Sequence, residues 1–165
     1  MSARVLMAAL LAIVACSPKS TEKSTAQASS DSSFVKLQQR GETAMGVNQF
    51  TSQHVFEPLP TGGRIVLQRK EPDSLGETVI RQHMQTIAKA FAAGDFALPG
   101  FVHAMEDVPG TQQMRALRSD ITYTARDLPR GGEVVIETRN QQAVAAIHEF
   151  LAFQRTDHRA GMHME

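Results

Sequence analysis

Across 165 residues the chain has one cysteine, no tryptophan, one tyrosine and no net formal charge. Each scarcity removes something. The single Cys16 has no second cysteine to pair with, so no disulfide can form within the chain. Lys plus Arg equals Asp plus Glu, at 17 each, so the electrostatic attraction that drives nucleic-acid binding is missing. One Tyr and no Trp leave little to stack on bases, and no nucleic-acid partner is expected. No apolar run reaches the ~20 residues that span a bilayer. Nor does the chain contain G-x-S-x-G, a P-loop, G-x-G-x-x-G or H-E-x-x-H, the short motifs that would announce a hydrolase, a nucleotide or a zinc protease. What length and aliphatic content support is one domain with one core.

The N-terminus is written like a targeting segment. Arg4 precedes "VLMAALLAIVA", Val5–Ala15, which has the length of a signal-peptide hydrophobic region and is too short for a transmembrane helix. It runs into "IVAC", small residues before the cysteine, as in a bacterial lipobox. Residues 1–15 are expected to be a lipoprotein signal peptide, with Cys16 the lipidated (palmitate-bearing) first residue of the mature chain. Ser17 stands where an inner-membrane retention signal would place Asp, which favours the outer membrane, facing the periplasm. Each buried CH₂ contributes about 0.8 kcal/mol, so several acyl chains hold a soluble domain at a membrane surface. Ser17–Ser33, with seven Ser and no apolar residue larger than Ala, cannot bury enough surface to offset its chain entropy. Residues 16–33 are therefore expected to be a flexible tether spanning about 20–25 Å. A single domain follows over 34–158, with a flexible tail at 159–165.

Within the domain one sentence is written twice. "LPTGGRIVL" (59–67) returns 69 positions later as "LPRGGEVVI" (128–136). Pro sets φ and paired Gly tolerate positive φ, which is turn chemistry. Period-two alternation surrounds each turn. Phe50, Ser52, His54 and Phe56 share one face of the first strand, and "ITYTARD" opens the second pair. After each hairpin comes helical periodicity. Ser74 and Glu77 form a capping box ahead of Ile80, Met84, Ile87 and Phe91, and "GDF" ends that helix. Asn140 is a good N-cap ahead of Val144, Ile147, Phe150 and Leu151. A shorter helix is expected around "TQQMRALRSD". The fold class is α+β: a four-stranded, mostly antiparallel sheet with two main helices on one face, as a tandem ββα repeat.

The chemistry-bearing residues are the histidines. His54 lies on the strand face of Phe56, His83 borders the first apolar stripe and His148 lies on the second. His103 follows the first helix and His158 extends the last one. Buried imidazoles are neutral, the form that binds metal. Met84 and Met105 adjoin His83 and His103, and the tail "HRAGMHME" adds Met162, His163 and Met164. Thioethers with imidazoles favour copper, with zinc the other candidate. The competing reading is a set of core histidines, each hydrogen-bonded to a carbonyl or hydroxyl. No catalytic residue is singled out: Glu106, Asp107 and Asp120 form no matched acid–base pair, and Asp157 and His158, adjacent on a helix, point about 100° apart.

The segments "MGVNQ…QHVF", "IRQHMQTIAKAFAAGDFALPGFVH" and "AIHEFLAFQRTDH" resemble a group of small secreted bacterial proteins of unknown function. The resemblance covers Met45 to His158. It implies that His54, His83, His103, His148 and Asp157–His158 are matching positions, and it implies no activity. The sequence thus leads to a lipid-anchored envelope protein acting as a binding module, with an envelope protein as a possible partner. The alternative is a periplasmic copper- or zinc-binding protein using the His/Met cluster, and a hydrolase-like enzyme comes third.

Overall fold

Alternation and turn chemistry produce two eight-residue hairpins, β1 (Ser52–Leu59) with β2 (Gly62–Arg69) and β3 (Ile121–Leu128) with β4 (Gly131–Thr138). A computed structural model describes residues 21–160 of the chain, with side chains from residue 31. The four strands form one antiparallel sheet in the order β1-β2-β4-β3. Five helices complete it: α1 (Thr21–Met45), α2 (Ser74–Ala92), α3 (Ala97–His103), α4 (Thr111–Ala116) and α5 (Gln141–Asp157). The α+β class, with a four-stranded antiparallel sheet, is as expected.

The two hairpins have matching registers. Leu59 pairs with Gly62 and Ser52 with Arg69; Leu128 pairs with Gly131 and Ile121 with Thr138. At the seam between them, Ile65 of β2 faces Val134 of β4, its counterpart at the 69-residue offset. The turn carbonyls cross over as well: Arg69 N donates to Arg130 O at 2.8 Å, and Thr138 N donates to Thr61 O at 2.9 Å. The helices also cross. α2 packs chiefly on β3 and β4, and α5 on β1 and β2.

Strand alternation separates two faces. Phe56, Ile65, Leu67, Val134 and Ile136 join the α2 stripe (Ile80, Met84, Ile87, Phe91) and the α5 stripe (Ile147, Phe150, Leu151) in one buried core. The other face carries an ionic ladder across all four strands. Arg64 meets Glu57 at 2.6 Å and Glu133 at 3.7 Å, and Arg126 reaches Glu133 at 4.0 Å.

Several local expectations are corrected. Phe50 is not on the strand: it sits in a 3-10 turn, Gln49–Thr51, 55% exposed. The cap of α2 is Asp73, not Ser74. Its carboxylate accepts from Gly76 N at 3.0 Å and also meets Arg69, an ion pair that Ser74 could not form. Asn140 does cap α5, accepting from Gln142 N and Ala143 N. The largest departure is α1. It starts at Thr21 and so is helical through most of the segment expected to be a coil tether. Its C-terminal part supplies the reason: Leu37 and Met45 are buried, and Arg40 Nε donates to Val102 O at 2.7 Å. A helix held by packing can extend into sequence of modest propensity. Arg159, expected to open a flexible tail, pairs with Asp31 at 3.1 Å and stacks 4.2 Å from the centre of the Phe34 ring. The expected signal peptide, Cys16, Met162, His163 and Met164 lie outside the described residues. Among the described residues no helix is long and apolar enough to cross a membrane.

Candidate functional site: an apolar cleft lined by histidines

Four elements converge where α5 ends. β1 brings His54, α2 brings His83 and Met84, α3 ends on His103, and His158 is the C-cap of α5. All of these line one cleft, with α1 closing a side through Ala44 and Met45. The cleft is open to solvent and holds a cavity of about 70 Å³. Apart from the histidines and Gln154, its walls are apolar, and they contain no Lys, Arg, Asp or Glu.

The imidazoles form a chain. His54 stacks on His158 with ring centres 5.2 Å apart, and His158 meets His103 edge-on at 5.1 Å. Register explains His54, which pairs with Leu67 on the core face of the sheet. Burial holds His54 down to about 4, helped by the nearby His83, and burial likewise holds His83 at about 4. His158 lies well below the ordinary imidazole range, through burial and then through repulsion from His54 and His103. Each of the three keeps some accessible surface at the mouth, yet the apolar walls crowd their rings and oppose a charge. At neutral pH these three rings are neutral.

His103 is held differently. Its side chain is 1% exposed. Nδ1 lies 2.5 Å from Asp157 Oδ2 and Nε2 lies 2.9 Å from Gln154 Oε1, two acceptors, so making both hydrogen bonds takes a proton on each ring nitrogen. Asp157 therefore partners a histidine 54 residues away rather than its neighbour, a pairing for which spacing gives no signal. Gln154 is 5% exposed, its Nε2 has no hydrogen-bond partner, and the Nδ1 of His158 has none either. Gln154 went unnoticed in the sequence, because a lone Gln on a helix stripe reads as surface.

Two expected site residues fall elsewhere. His148 donates from Nε2 to Leu59 O at 2.9 Å, fastening α5 to the first hairpin turn, and does not line the cleft. Met105 is exposed, because α3 ends in a left-handed Ala104 that turns the chain outward. Among the described residues no three His, Cys, Asp or Glu side chains are arranged to hold a metal ion. His54, His83, His103, His158 and Met84 share a cleft without forming a ligand set. His103 in particular has both ring nitrogens committed.

What the arrangement offers is a small apolar recess with neutral donors and acceptors at fixed points. With Nδ1 donating to Asp157 and Nε2 donating to Gln154 Oε1, His103 has no free lone pair with which to act as a general base. No family model, curated protein or solved structure matches the chain.

Proposed function

We propose that this chain is a lipid-anchored protein of the bacterial cell envelope whose α+β domain works as a binding module, with the histidine-lined cleft as its binding site. The observation that carries the reading is the cleft itself. It is concave, mostly apolar and fitted with a few convergent polar groups, the usual composition of a ligand site. Catalysis gains no support from the His103–Asp157 pair, because the other ring nitrogen of His103 lies against Gln154 Oε1. The anchoring half of the reading rests on the leader, on "IVAC" and on Cys16.

The cleft can be tested with Nile red, an uncharged dye that brightens on leaving water. Its fluorescence is expected to rise on addition of the folded chain. Leu98 lines the cleft and is partly buried, and Leu98→Trp is expected to reduce that rise severalfold at an unchanged Tm. Equal fluorescence from the variant would remove the cleft as the site. For the anchor, cells expressing the chain are grown with labelled palmitate. Label is expected on the wild-type protein in the outer-membrane fraction and none on Cys16→Ala; an unlabelled wild-type protein would end the lipoprotein reading.

A further inference from the structure

The cleft has polar groups but no unpaired charge, and that constrains what it accepts. Its walls contribute no Lys or Arg to meet a carboxylate and no Asp or Glu to meet an ammonium group, and a charge on His103 would already be matched by Asp157. The guanidinium groups of Arg40 and Arg155 hydrogen-bond the backbone of two lining residues, Val102 O and Phe56 O. Burying an unpaired ion is costly. Meeting an anion with an imidazolium would require protonating a ring that its surroundings keep neutral.

The polar groups indicate what the ligand must offer. Gln154 is fixed by His103, which is fixed by Asp157. One end of its amide is therefore occupied and the other, Nε2, is buried without a partner. His158 Nδ1 is in the same condition and lines the same cleft. A buried polar group without a partner costs free energy that a bound ligand can recover. A neutral imidazole nitrogen either donates or accepts, according to tautomer. A ligand group that can do both, a hydroxyl or a carboxamide, satisfies either arrangement; an ether or a thioether does not.

Resting on the reading of this cleft as the binding site, we propose that it takes a small uncharged molecule, apolar over most of its surface, with one hydroxyl or carboxamide that hydrogen-bonds Gln154 and His158. The apolar part lies against Ile65, Met84, Ile87 and Phe91, and the polar head points toward the end of α5.

Four probes with one tail separate the possibilities: 1-octanol, octanamide, octanoate and octylammonium. Each is titrated into the full chain at pH 7.5 by calorimetry, with the Gln154 side-chain amide followed by ¹H–¹⁵N NMR. Octanol and octanamide are expected to bind and shift the Gln154 signal. Octanoate and octylammonium are expected to bind at least about tenfold more weakly, the equivalent of one hydrogen-bond-sized difference. Gln154→Leu should erase the preference for octanol over octanoate; Gln154→Met, closer in shape, is measured beside it in case the first does not fold. If octanoate or octylammonium binds as tightly as octanol and still shifts Gln154, the ligand class is wrong and the cleft stands as the site. If none of the four moves Gln154 or the methyl of Met84, both readings fall.

Discussion

Replacing Gly131 by alanine is expected to cost about 3 kcal/mol of stability or more, read as a fall in Tm of roughly 10 °C. The reason lies at the seam between the hairpins. A Cβ at Gly131 would stand 2.1 Å from Leu67 O and 2.9 Å from Gln68 Cα, and one at Gly62 would stand 2.0 Å from Ile136 O. These are backbone atoms of the central strand pair, held in the β2–β4 ladder, so nothing flexible can yield. Gly62 has a second constraint in its positive φ of 142°. Gly132 provides the internal comparison. Its Cβ would stand nearest to Arg126 O at 3.1 Å and the movable Met84 Cγ at 3.3 Å, so Gly132→Ala should cost no more than about 1 kcal/mol. Equal melting temperatures for Gly131→Ala and the wild-type chain would mean that the two hairpins do not meet as described.

Acidification from pH 7.5 to pH 4 is expected to remove several kcal/mol of stability, with most of the loss below pH 6.5. His54 and His83 have folded values near 4, against an unfolded value of about 6.5. As pH falls below 6.5 the unfolded chain takes up protons that the folded one refuses. The equilibrium therefore shifts toward unfolding until the folded rings titrate near 4, and below that the trend flattens. A difference of about 2.5 pH units corresponds to about 3 kcal/mol for one such ring. The contributions are not additive, because His54, His83 and His158 share a cleft and each proton taken up hinders the next. Urea midpoints measured every half pH unit provide the check. His54→Phe should flatten the slope, since Phe fills similar space and does not titrate. A wild-type midpoint unchanged between pH 7 and pH 5 would show that these rings are not enclosed.

The sheet was legible in the sequence because its signals are local. Alternation around two Pro-containing turns specifies hairpins, and apolar residues three and four apart specify α2 and α5. The helix α3 was not legible: "ALPGFVH" carries both Pro and Gly, and propensity alone argues against a helix there. In α3 Pro99 falls within the first turn, where no intrahelical N–H is required, and Gly100 meets Met105 O so closely that a Cβ has no room. Much of α1 was hidden for a different reason. Its polar first half has no apolar stripe, and the buried Leu37 and Met45 lie only in the second half. At the site, the inward placement of His54 and His83 follows from period alone. The pairing of His103 with Asp157, the orphaned amide of Gln154 and the diversion of His148 to Leu59 O depend on contacts between residues 51 to 89 positions apart. No spacing rule reaches that far.

The exchange of helices between hairpins has a consequence for how the chain comes together. Because α2 covers mainly β3 and β4 while α5 covers mainly β1 and β2, neither half encloses a core by itself. A polypeptide ending before β3 would leave the stripe of α2 in water, so a nascent chain stays incomplete until its C-terminal helix arrives. Enclosing the core therefore waits on a distant contact, the meeting of β2 with β4. Cut between α4 and β3, the two pieces should be inert apart and should reassemble when mixed, each supplying the lid for the other.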